Sequence, residues 1–250
     1  MTDQELHRLL EDMSLQEKID QLLQLTADFY GKTDRDVVTG PASELGISME
    51  DIDLAGSVLN GTGAKALMQI QDAYMDRHPH HIPLLFMMDV IHGYRTIFPA
   101  PIAQGASFDP EMSKRAASVA AREASAAGIH VVFSPMVDLV RDPRWGRVME
   151  STGEDPYLNS RFAAAQIHGF QGDDMKEDGK VCGCIKHFAG YGGAEAGMEY
   201  NTVQISEHTF REYYLPSYEA GIKAGAGMVM TSFNTVNDIP ATINQKLMRQ

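Results

Sequence analysis

Residues 141–156, RDPRWGRVMESTGEDP, gather seven ionisable side chains and the only tryptophan of the chain into sixteen positions. The apolar, β-branched run Val131, Val132 and Phe133 lies a few residues upstream. Polar groups held where a rigid strand ends are the usual way a scaffold presents chemistry. Arg147 closes the WGR triplet. Its guanidinium cannot lose its proton and offers a planar fork of donors, suited to fixing hydroxyls or orienting carboxylates. Asp89 stands behind five apolar residues in LLFMMDVIHG and could accept from two neighbouring hydroxyls of a sugar. Each has a structural alternative: a turn cap for Asp89, and a salt bridge to Glu150, Glu154 or Asp155 for Arg147. For Trp145 buried packing competes with stacking on a sugar face, and for His92 a structural hydrogen bond is expected.

Lys186 and His187 form the most specific pair. Successive side chains of a regular strand point to opposite faces, so one pocket can receive both only where the strand ends or distorts. The pair therefore predicts an irregular backbone near Lys186–Phe188, a bulge or an unusual peptide bond. Two other clusters read as loops. His78, His80 and His81, in RHPHHIP, have the residue types of a metal site, but Pro79 and the polar surroundings point to a solvated turn. Glu195, Glu199 and Tyr200 lie on the Gly-rich stretch after the Lys–His strand and could border a pocket.

These residues need elements to carry them. Continuous apolar runs at Leu84–Met88, Val131–Phe133, Val181–Ile185 and Met228–Met230, with an earlier one around Gly56–Leu59, predict strands covered on both faces. Helical stretches alternate with them. Thr2 with Glu5 and Ser14 with Glu17 are capping boxes, the second opening an apolar stripe of Leu15, Ile19, Leu22 and Leu23. A helix is expected from Pro110 to about Ala127, capped by Asp109 and ended by Gly128. Others are expected from Pro156 to before Gly172 and, interrupted by Pro216, from after Ser206 to about Gly225. Alternation of this kind argues for an α/β fold, with a (β/α)8 barrel ahead of an open doubly wound sheet, since no Gly-rich phosphate loop follows the first strand.

Bulk composition narrows the partners. Thirty-four acidic against twenty-one basic residues give a formal charge of −13, which disfavours nucleic acid and anionic membranes but not a neutral substrate. No run of apolar residues reaches membrane-spanning length, and the charged amino terminus does not read as a signal peptide. Cys182 and Cys184, two apart on one strand face, read as reduced thiols. A cytoplasmic setting is the expectation, with no cofactor and no metal.

With these residues in place, the chain resembles the amino-terminal barrel domain of glycoside hydrolase family 3, the β-glucosidase group. The motifs follow in order over nearly the whole chain: MSLQEKIDQL, DVIHG, FPAP, RDPRWGRVMESTGEDP, KHFAGYG and MTSFNTVNDIPAT. The resemblance implies that residues 1–250 form the amino-terminal part of a (β/α)8 TIM-barrel-like domain, incomplete at its C-terminal end and without the family's second α/β domain. It also implies that Asp89, Arg147, Lys186 and His187 line the subsite for the non-reducing sugar, Asp89 as acceptor and the other three as donors. The N-acetylhexosaminidase branch carries a proline and a second histidine where this chain has Ala189 and Tyr191. That departure favours hydrolysis of terminal β-D-glucosyl residues, with β-xylosidase or a non-catalytic sugar-binding module as alternatives. Phe233 stands where other members carry tyrosine.

The family's nucleophile is an aspartate in a Ser-Asp signature, and no Ser-Asp dipeptide occurs in these residues. Nucleophile and acid/base are therefore expected beyond Gln250, with a complementing C-terminal part of the enzyme as partner. The isolated chain is expected to be inactive, and an unpaired strand edge is expected near Met228–Ser232.

Overall fold

A computed structural model of the chain describes residues 1–31 and 46–249. These fall into two compact units, Met1–Met88 with Ala126–Val131, and Asp89–Ser125 with Val132–Gln250.

The first unit opens with α1 (Asp3–Asp12) and α2 (Leu15–Asp20), each entered through the expected capping box. Then follow β1 (Gln24–Thr26), α3 (Met49–Leu54), β2 (Ser57–Leu59), α4 (Ala64–Arg77) and β3 (Leu85–Met88). β1 pairs with β2 and β2 with β3, both parallel. Short β1 was not legible beforehand, because three residues carry too little pattern. Leu25, Ile52 and Ala55 pack with Leu23, Phe29 and Tyr30, and the buried Tyr74 hydroxyl donates to the Ala55 carbonyl at 2.7 Å. Two expectations fail here. Leu15, Ile19 and Leu22 do not bury a common stripe: α2 stops at Asp20, and the three side chains stay exposed. His78 is not solvated but buried, its Nδ1 accepting from the main-chain N–H groups of His80 and Ile82. The turn after α4 thus closes on its own imidazole, which satisfies donors left unpaired beyond a helix end.

The second unit carries the candidate chemistry. It contains α5 (Pro101–Gly105) and most of α6 (Pro110–Ala126), with the Asp109 carboxylate accepting from Met112 N–H as an N-cap. Strand β4 is only Val131–Val132, yet residues 129 and 131–140 are all buried. Then come α7 (Pro156–Gln171), β5 (Cys182–Phe188), α8 (Glu207–Thr209), α9 (Pro216–Lys223), β6 (Met228–Thr231) and α10 (Gln245–Arg249). The segment after Ser206 differs from expectation: a π-helical stretch, Phe210–Tyr214, separates α8 from α9, so the interruption begins before Pro216. β5 pairs in parallel with β6, and no second strand pairs with β6 among the described residues. Val137, Leu139, Ile167, Ile185, Phe210 and Tyr218 form the core beneath β5. Parallel strands joined by helices are the α/β architecture expected from the alternating pattern. No helix among the described residues is long and apolar enough to cross a membrane.

Candidate active site

β5 does not run evenly to its end. Its pairing with β6 shifts register between Lys186 and Phe188, and the Lys186–His187 and Phe188–Ala189 peptide bonds are cis. This is the distortion that the adjacent Lys–His pair required. Lys186 and His187 are both almost fully buried. The Lys186 ammonium donates to Asp89 Oδ1 at 2.6 Å, while the Asp89 side chain remains 54% exposed. Asp89 Oδ2 has no hydrogen-bond partner among the described residues. Asp89 is therefore no turn cap; it presents one oxygen to a buried cation and keeps the other available.

His187 is held from beneath. Its Nδ1 lies 2.8 Å from Asp138 Oδ2, and its main-chain N–H donates to the same oxygen at 3.0 Å. The Tyr218 hydroxyl lies 2.7 Å from Asp138 Oδ1 and 2.6 Å from the His187 carbonyl. The buried segment carrying Asp138 is fixed by its neighbours. Asn159 and Ser217 both donate to the Val137 carbonyl, and the Ser151 hydroxyl donates to that of Asp138. Burial, with the Asp138 carboxylate alongside, pushes the Tyr218 hydroxyl far above its ordinary range, so it remains protonated.

The RDPRWGR segment closes the other side. Arg147 grips Glu150 in a fork, Nε to Oε1 at 2.7 Å and Nη2 to Oε2 at 2.8 Å, so one of the structural alternatives for this arginine is realised. Its guanidinium also lies 5.7 Å from the centre of the Tyr191 ring. Burial disfavours both charges, but the pair outweighs it, holding Glu150 below the usual carboxylate range and raising Arg147. Glu150 also feels the positive charges of Lys186 and His187. Trp145 is buried edge-on to Tyr191 at 5.3 Å, the packing role rather than an exposed stacking platform. Tyr191 meets His187 edge-on at the same distance, and its hydroxyl donates to Glu199. His92 is structural, its Nδ1 2.8 Å from the Phe98 carbonyl.

The close approach of these loops has a specific cause. A Cβ on Gly192 would lie 2.1 Å from the Leu139 carbonyl oxygen, so only glycine lets the loop after β5 lie against the segment leading to Arg147. The four predicted residues are thus brought into one neighbourhood: Asp89 through Lys186, and Arg147 and His187 through Tyr191 and Glu150. Asp138, Glu150, Tyr191 and Tyr218 were missed as parts of it. From the sequence Glu150 reads only as a partner for Arg147, and Asp138 lies within an apolar run that reads as core. Among the described residues no group of His, Cys, Asp or Glu side chains could hold a metal ion, the histidines of residues 78–81 included.

Comparison with known proteins gives the family. The model of the glycosyl hydrolase family 3 N-terminal domain matches residues 14–250. A periplasmic β-glucosidase of Salmonella typhimurium is 37% identical over 243 residues, covering 96% of this chain and 30% of that protein. A β-xylosidase of Formosa agariphila is 40% identical over 162 residues, covering 63% of this chain and 22% of its own length. The crystal structure of a β-glucosidase from Listeria innocua in complex with glucose superposes with a TM-score of 0.95 at 50% identity, over 100% of this chain and 35% of that one. The chain spans about a third of the length of the relatives it matches. It belongs to glycoside hydrolase family 3, and its α/β fold matches the family's (β/α)8-like N-terminal domain.

Proposed function

We propose that this chain supplies the sugar-binding groups of a retaining β-glucosidase that removes terminal, non-reducing β-D-glucosyl residues. The observation that carries the reading is the junction of Asp89 with Lys186 beside the Arg147–Glu150 fork and His187. An accessible carboxylate oxygen flanked by fixed donors is suited to a neutral polyol, and the surplus of negative charge favours a neutral ligand over a phosphorylated one. The Listeria innocua relative has been crystallised with glucose and, as a mutant, with laminaribiose, which supports a glucosyl unit here. The β-xylosidase relatives support the second reading, a xylosyl unit.

Retaining hydrolysis needs two carboxyl groups about 5 Å apart, a nucleophile and an acid/base. Asp89, Asp138 and Glu150 are each committed to a cation, an imidazole or a guanidinium, so none is assigned either role. The reading therefore takes both groups from polypeptide other than these residues, with that polypeptide as the complementing partner. A reducing, cytoplasmic setting is proposed on the two free cysteines; the Salmonella relative is named as periplasmic, and cell fractionation decides.

The test is a chimera in which this chain replaces the matching third of the Listeria innocua enzyme. Turnover of an aryl β-glucoside faster than of the β-xyloside, abolished by Asp89→Ala, is the expected result. A folded chimera indifferent to Asp89→Ala would overturn the site, and hydrolysis by the 250-residue chain alone would overturn the assignment of the reacting groups.

A further inference from the structure

We propose that Asp138, itself braced by Tyr218, is a positioning residue of the sugar site: it fixes His187 as the Nδ1–H tautomer, so the neutral ring meets a sugar hydroxyl through Nε2 as an acceptor. The inference rests on the pyranose-subsite reading and changes one part of it. The resemblance implied three donors beside Asp89, whereas this geometry gives two donors and, at His187, an acceptor whenever the ring is uncharged.

Proton counting at Asp138 and His187 fixes the tautomer. Asp138 is 1% exposed and cannot reach a ligand in solvent. A carboxylate accepts only, so the ring nitrogen 2.8 Å from Oδ2 must carry the proton. The His187 main-chain N–H, 3.0 Å from the same oxygen, ties the carboxylate to the backbone of the residue it orients. On the other oxygen, the Tyr218 hydroxyl shares its single proton between Oδ1 and the His187 carbonyl. Ring, backbone N–H and carbonyl of His187 are therefore all held by one buried pair, with Tyr191 edge-on against the ring. Nε2 has no partner among the described residues. It is the only ring nitrogen left for a ligand, and the proton on Nδ1 makes it a lone-pair acceptor until the imidazole itself takes up a proton.

Asparagine at position 138 should preserve this tautomer. Two donors, the His187 N–H and Nδ1–H, would face its amide oxygen, while its NH2 group would donate to Tyr218, which donates onward to the His187 carbonyl. Alanine leaves Nδ1 with no acceptor. The tautomer can thus be separated from packing, because the two substitutions have opposite consequences for it.

The experiment is a long-range ¹H–¹⁵N spectrum of histidine-labelled chain at about pH 8, with His187 assigned by loss of its signals in His187→Gln. A protonated Nδ1 and an unprotonated Nε2 are expected in the wild-type chain, in Asp138→Asn and in Tyr218→Phe. Asp138→Ala is expected to lose that preference. A wild-type His187 protonated on Nε2, or as an even mixture, overturns the inference, as does an Asp138→Ala spectrum indistinguishable from wild type. If Asp138→Ala does not fold, the wild-type and Asp138→Asn spectra decide. Adding glucose then tests the underlying reading separately. A shift of the Nε2 resonance supports the subsite, whereas a correct tautomer indifferent to glucose leaves Asp138 as the positioner of His187 and removes the sugar.

Discussion

Replacing Glu150 by glutamine should lower the stability of the chain by about 2 kcal/mol at neutral pH. The carboxylate receives two charge-assisted hydrogen bonds from Arg147, and both side chains are 23% exposed. An exposed ion pair contributes roughly 0–1 kcal/mol, whereas breaking a fully buried one costs about 3–5 kcal/mol. A pair with a quarter of its surface still in water falls between these limits. In Glu150→Gln one amide oxygen can still accept, but the NH2 group faces a guanidinium N–H, so one bond becomes a donor–donor clash. For a chain of this size the loss corresponds to a fall of roughly 4–8 °C in Tm.

The pH dependence gives the sharper check. The folded-state pKa of Glu150 is depressed by Arg147 against the opposing effect of burial. The stabilisation is therefore fully present above the unfolded glutamate value of about 4.3, and is lost as pH falls through the lower folded value. Urea unfolding of both proteins should show a constant gap at and above about pH 5 that shrinks below about pH 4. No gap at neutral pH, or one that does not narrow in acid while both chains remain folded, would refute the reasoning.

Two further outcomes follow from packing. Burial pushes the Cys184 thiol up to about 12 and raises Cys182 as well, so Cys184 should resist a thiol reagent in the native chain at about pH 8 and react in denaturant. Labelling of native Cys184 at the rate of a free thiol would contradict its placement. Gly192→Ala would press a methyl against the Leu139 carbonyl and should cost about 1–3 kcal/mol, read by urea unfolding. An unchanged midpoint would mean that the two loops do not lie this close.

What could be read beforehand, and what could not, follows from the range of each signal. Lys186 and His187 announced a distorted strand because period-two alternation is a local rule that two adjacent polar residues break. The capping boxes at Thr2 and Ser14 were equally local, and both formed. Leu15, Ile19 and Leu22 show the limit of such patterns: periodicity marks a face but does not specify what packs against it. His78 misled because a polar turn can bury a side chain that serves its own backbone. Asp138 was invisible for another reason. It lies among Met136, Val137, Leu139 and Val140, and its meaning comes from His187 and Tyr218, 49 and 80 residues further on.

Asp89, Arg147, Lys186 and His187 are proposed to close around one pyranose ring. A crystal structure of the chain soaked with glucose tests this most directly. The expected result is a ring whose hydroxyls lie within hydrogen-bond distance of Asp89, the Lys186 ammonium, the Arg147 guanidinium and His187 Nε2. Glucose bound elsewhere, with these four side chains untouched, would contradict it.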